Sequence, residues 1–166
     1  GILHQEMPNG DPDGRMHGFQ LWSNLPASLK MTAPRYQDIP AKDIPEVTDD
    51  DGTRVRVICG EFWGKSGPVE GVASEPRYLD VSVPPGHTKR LAIDRANNAF
   101  AYVFAGSGTF RDASAPQAVK TEQVGGPNDG LIDEVGNRSL VLFDRGDEIV
   151  VQTGDQGIRF LLVSGK

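Results

Sequence analysis

The chain has 166 residues, 37% of them hydrophobic, and a formal net charge of −6 from 17 Lys+Arg against 23 Asp+Glu. That length supports one sizeable core without disulfides or a structural metal, and the acidic balance with no Lys/Arg stripe argues against direct nucleic-acid binding. The single cysteine, Cys59, excludes an intrachain disulfide and a Cys-based zinc site. No window approaches the roughly 18 to 20 apolar residues of a membrane span, and GILHQEMPNG has no leader pattern, so the expectation is a soluble protein of a reducing, cytoplasmic compartment.

The first residues hold the most chemistry. If Ile2 to Met7 is extended, the two-residue period puts His4 and Glu6 on one face, about 6 to 7 Å apart along the strand. Imidazole and carboxylate together make a partial shell for iron(II), manganese or nickel, although two donors alone hold such an ion weakly. The alternative is a polar strand face. His17 follows, and Met16 to Leu25 reads as a strand in which Gln20 and Trp22, alternating with Phe19 and Leu21, pack inside a sheet. Ala27 to Met31, between Pro26 and Pro34, is a short helix or a turn.

Asp43 to Gly52 is acidic and turn-like. Its Asp49-Asp50-Asp51 run lacks the alternating ligand spacing of a calcium loop. Thr53 to Cys59 and Tyr78 to Val83 alternate polar with apolar, as strands with one wet face do. Cys59 reads as an inert, half-buried thiol. His87 sits in the turn Pro85-Gly86-His87-Thr88 and reads as an exposed loop histidine. Ala99 to Phe104 is a strand, and Gly106-Ser107-Gly108 after it reads as a hairpin turn, since no helix follows to make it a phosphate loop.

Ala113 to Gly130 is polar and rich in turn residues, an excursion with one short edge strand around Val119 to Val124. The sequon Asn137-Arg138-Ser139 carries little weight without a secretory leader. Ser139 to Phe143, Glu148 to Thr153 and Ile158 to Val163 complete the strands, with turns at Asp144 to Asp147 and at Thr153-Gly154-Asp155. The 20 Gly and 12 Pro are spread along the chain. With no long amphipathic helix, an all-β sandwich or jelly roll is expected.

The stretches GILHQEMP (1–8), HGFQLWSNLP (17–26), Lys30-Met31 and Pro34-Arg35-Tyr36-Gln37 resemble the pirin family. Weaker matches run through Gly67-Pro68-Val69, Tyr78 to Pro85, Asn98 to Val103, Gly106 to Phe110 and Gly157 to Gly165. Pirins are bicupins, two β jelly rolls, the first of which holds iron on three histidines and a glutamate. The resemblance implies an all-β, cupin-type jelly roll at 38–166, degenerate and without its own metal site, preceded at 1–37 by the remnant of a metal-binding cupin domain and its linker. It makes His4 and Glu6 the third and fourth metal ligands, with the family's His-x-His pair and C-terminal extension outside this chain.

The activity implied is that of a quercetin 2,3-dioxygenase, an iron(II)-dependent oxidoreductase of small aromatic substrates such as flavonols. Other divalent metals are alternatives, as is a chain that holds none by itself. Glu6 would be ligand and general base, His4 a ligand, and His17 and Gln20 would orient them. The rival expectation is a non-enzymatic iron-linked interaction or co-regulator module, since eukaryotic pirins are described as nuclear, or a catalytically inactive structural fragment. Open sheet edges would favour homo-oligomers or association with another chain.

Overall fold

The computed structural model describes residues 5, 7, 9–111, 117–118 and 136–166. The chain divides into two compact units, Gly1–Gln37 and Asp38–Lys166.

In the first unit the described residues contain one single-turn 3-10 helix, Ala27–Leu29, and no strand. The expected strand Met16 to Leu25 is not formed. Phe19, Leu21 and Trp22 are 42, 43 and 77% exposed, and Gln20 is exposed, so the expectation that they pack inside a sheet is corrected. The physical reason is that an extended segment becomes a strand only when a neighbour takes up its N–H and C=O groups and covers one face. Alternation alone supplies neither.

The second unit begins with a 3-10 turn, Ala41–Asp43, and continues as strands β1 (Glu46–Thr48), β2 (Arg54–Cys59), β3 (Glu61–Phe62), β4 (Lys65–Ser66), β5 (Arg77–Val83), β6 (Thr88–Ala92), β7 (Asn98–Arg111), β8 (Gln117–Ala118), β9 (Ser139–Phe143) and β10 (Glu148–Gly165). The main sheet runs β1-β2-β5-β10-β7-β9-β8, with β6 also paired to β10, and every pairing is antiparallel. β3 and β4 form a separate hairpin, turned by Trp63 and Gly64 at φ 45° and 74°, the left-handed pair that a two-residue hairpin demands.

β10 organises the fold. Its first part, 148–152, pairs with β6, and its second part, 158–164, pairs with β5, while β7 runs alongside both. Between Thr153 and Ile158 the register with β7 shifts, so both strands bend there and the sheet folds over on itself. Gly106-Ser107-Gly108 is therefore continuous strand and not a hairpin turn, and Thr153-Gly154-Asp155 likewise lies inside β10. Gly106 and Gly157 take φ of +67° and +69°, and their backbones approach so closely that a Cβ on Gly106 would lie 2.0 Å from the Gly157 carbonyl oxygen. Glycine marks a bend in paired strands here, not a chain reversal.

The bend encloses the core. Val55 and Val57, Leu79 and Val81, Ala101 and Val103, Val141, Val151, Phe160 and Leu162 are fully buried, those of β2 and β7 alternating with more exposed residues. Phe110 meets Phe160 edge-on at 5.2 Å and Phe143 at 5.5 Å, a favoured aromatic geometry. Five strands went unforeseen, among them the two-residue strands β3, β4 and β8. β1 lies within the acidic stretch read as a turn, and in β6 only Leu91 is buried, which leaves no alternation to detect. The edge strand expected at Val119 to Val124 lies outside the described residues.

Candidate functional site

His4 and Glu6, the expected metal ligands, lie outside the described residues. Of the two residues expected to orient them, Gln20 is exposed, and His17 is exposed with its ring tilted against Phe19 at a centroid distance of 5.2 Å. Among the described residues no group of three or more His, Cys, Asp or Glu side chains is placed to hold a metal ion.

The jelly-roll interior is hydrocarbon. The buried cluster contributed by β2, β5, β7, β9 and β10 is Val, Leu, Ala, Ile and Phe, none of which can donate to a cation, and the buried polar side chains Thr53, Thr153 and Ser164 add hydroxyls but no imidazole, thiolate or carboxylate. His87, expected to be an exposed loop residue, is half-buried and structural: its N–H donates to Thr153 Oγ1 at 2.9 Å and its Nδ1 lies 2.8 Å from the Pro85 carbonyl oxygen. The Thr153 hydroxyl donates in turn to the Pro84 carbonyl at 2.8 Å, which ties the 84–87 turn to the bend in β10. Cys59 is buried, its Sγ donating to the Val69 carbonyl at 3.2 Å. Burial pushes that thiol up, away from the thiolate.

The polar chemistry of the second unit is on the outer sheet face. In one row across the strands, Arg56 of β2 and Leu161 of β10 flank Asp80 of β5. In the next, Arg54 and Arg159 flank Ser82. Asp80, 8% exposed, accepts from Arg159 Nε at 2.9 Å and Nη2 at 2.6 Å, a bidentate charge-assisted pair, with Arg56 4.0 Å away. Hydrogen bonding to Asp80 raises the Arg159 guanidinium, which also lies 5.0 Å over the Phe104 ring. Two clefts open beside this pair, of about 350 and 260 Å³, and both are lined by Arg54, Ser82 and Arg159. The sequence shows these residues only as a wet strand face, because Asp80 and Arg159 are 79 positions apart.

A second ion pair joins the loop after β1 to β6, where Lys89 contacts Asp49 and, at 3.2 Å, Asp51. Burial opposes ionisation of Asp49, but the Lys89 ammonium and the Thr53 N–H outweigh it and hold the carboxyl below its usual range. Desolvation likewise opposes the Lys89 charge, and its two carboxylate partners overcome it. No helix among the described residues is long and apolar enough to cross a membrane.

No protein-family model matches the chain. A pirin-like protein of Caulobacter vibrioides is 45% identical over 107 residues, which is 64% of this chain and 38% of that protein. A Pseudomonas aeruginosa protein named "putative quercetin 2,3-dioxygenase" is 34% identical over 93% of this chain and 56% of its own length. The chain thus spans about half the length of the curated relatives it matches. The crystal structure of a quercetin 2,3-dioxygenase from Acinetobacter baumannii superposes with a TM-score of 0.68 at 24% identity, over 86% of this chain and 43% of that one. The fold is that of the cupins, and the chain is a partial member of the pirin family.

Proposed function

We propose that this chain contributes a metal-binding pair, His4 and Glu6, to a dioxygenase of the quercetin 2,3-dioxygenase type. The observation that carries the reading is the motif His4-Gln5-Glu6, set in the stretch where the resemblance to pirins is most specific. The name of the Pseudomonas aeruginosa relative supports it. A neutral imidazole and a carboxylate suit iron(II), manganese or nickel, so the donor chemistry of 1–37 fits such an ion, whereas the apolar interior of the second unit does not.

A metal of this class, when bound, supplies Lewis acidity and a position for dioxygen. His4 serves as a nitrogen donor. Glu6 has two tasks, as an oxygen donor and as the base that takes the proton from the acidic hydroxyl of a small aromatic substrate such as a flavonol. His17 and Gln20 would orient the two donors. The test is metal content by mass spectrometry on the whole chain after exposure to iron(II) without oxygen, with quercetin consumption measured alongside. Weak uptake of iron(II), as two donors of a four-donor shell allow, lost in His4→Ala, is expected, with consumption lost in Glu6→Gln. Undiminished consumption by Glu6→Gln, or metal uptake indifferent to His4→Ala, overturns the reading.

A second reading, a non-catalytic interaction module, draws on the large apolar side chains left open in the first unit, where Trp22, Met31 and Tyr36 are 77, 94 and 86% exposed. A wild-type chain that takes up no metal yet self-associates in light scattering favours this reading, and a clean monomer at all concentrations counts against it.

A further inference from the structure

We propose that Arg54, Ser82 and Arg159 form a binding site for a small oxyanion, a carboxylate or a phosphate, on the outer face of the jelly roll. The three residues share one cross-strand row, with Ser82 paired to Arg54 on one side and to Arg159 on the other. In an antiparallel ladder directly paired residues project to the same face, so two cations flank one hydroxyl.

The larger cleft, of about 350 Å³, is lined by these three and by no acidic side chain. That is an unusual local balance in a chain of net charge −6. Glu46 and Asp80 line only the adjoining, smaller cleft, and Asp80 is already committed to Arg159 through two hydrogen bonds. That pairing uses Nε and Nη2 and leaves Nη1 of Arg159 as a donor. Its geometry is fixed in advance by the Asp80 fork and the Phe104 ring, which lowers the cost of ordering it around a ligand.

Arg54 is the complementary half. Its side chain is exposed, so its guanidinium donors face solvent. Pro84, Pro85, Gly106 and Gly157 also line the cleft and add no negative charge to it. A planar guanidinium presents a fork that matches carboxylate or phosphate oxygens, and the volume suits a small ligand.

The experiment is titration of the whole chain with inorganic phosphate and, separately, with benzoate, at constant ionic strength, followed by calorimetry and by the backbone amide signals of Gly106 and Gly157. Saturable binding of at least one probe that moves these two signals is expected. It should be weakened about tenfold or more in Arg54→Gln, the loss of one charge-assisted hydrogen bond, and partly restored in Arg54→Lys. Which probe saturates names the ligand class. Absence of saturation by both probes, or equal affinity in wild type and Arg54→Gln, overturns the assignment. Arg54 is exposed on its strand, so the variant folds and the comparison stays valid.

Discussion

At the scale of single residues, the Asp80–Arg159 pair shows how one buried charge fixes its neighbour. The Asp80 side chain is 10% exposed and that of Arg159 44%, so the carboxylate has lost most of its water and depends on the guanidinium for compensation. Arg159→Met leaves it with Arg56 at 4.0 Å as partial replacement. Breaking a fully buried pair costs about 3 to 5 kcal/mol. The half-open arginine and the remaining cation reduce the expected loss to about 2 kcal/mol, read as a lower urea midpoint with an unchanged slope. The Asp49–Lys89 pair makes a pH prediction. The Asp49 carboxyl is held below its usual range in the folded chain, so its contribution is present above about pH 4 and is lost as pH falls through the lowered value. Lys89 is held above its usual range, so its contribution is complete below about pH 10 and is lost as pH rises through the raised value. The stability difference between wild type and Lys89→Met is therefore expected to be flat from pH 5 to 9, at about 1 kcal/mol, and to shrink in acid below about pH 4. A difference that grows on acidification contradicts the pairing.

At the scale of elements, the bend in β7 and β10 depends on two glycines whose constraints can be separated from φ strain alone. Gly157→Ala would place its Cβ 2.6 Å from the Val83 carbonyl oxygen at φ +69°, whereas Gly86, at φ +71°, has nothing within 4 Å. Gly86→Ala should cost about 1 kcal/mol, the left-handed penalty by itself. Gly157→Ala should cost at least about 3 kcal/mol, because a backbone atom must also move, and thermal unfolding of the two variants gives the comparison. The same bend explains what could be read from sequence. β2 and β5 were legible because each alternates apolar with polar residues over several positions, an alternation that burial follows in β2 and that in β5 is broken only by the buried, ion-paired Asp80. The continuity of β7 and β10 was not, since Gly-Ser-Gly and Thr-Gly-Asp carry the signal of a reversal and only the facing strand reveals a bulge. β6 carries a single buried residue, Leu91, and so had no period to find. The His4-x-Glu6 pair was legible as donor chemistry, because residue type alone supplies it. The Arg54, Ser82 and Arg159 row was invisible, because it exists only through the register of three strands.

At the scale of the whole molecule, the core and the proposed metal donors fall in different stretches of the chain. Every buried hydrophobic side chain among the described residues lies between Val55 and Val163, so the apolar burial that drives folding belongs to the second unit. A chain of residues 38–166 alone is therefore expected to unfold in one cooperative step, with Phe160→Ala lowering its stability by about 3 to 5 kcal/mol, as for any large buried aromatic. If His4 and Glu6 are the donors, that shorter chain should retain no stoichiometric iron(II), because inward-facing Val, Leu and Phe offer a cation no ligand. The two measurements are independent. Cooperative unfolding of 38–166 without metal uptake, beside uptake by the whole chain, would place the ion on the first unit, in keeping with the His-x-Glu assignment. Stoichiometric metal on 38–166 would require donors from outside the core, and would remove the basis for assigning the ion to His4 and Glu6. A non-cooperative transition would mean that the second unit needs 1–37 to complete its packing, against the division of the core drawn above.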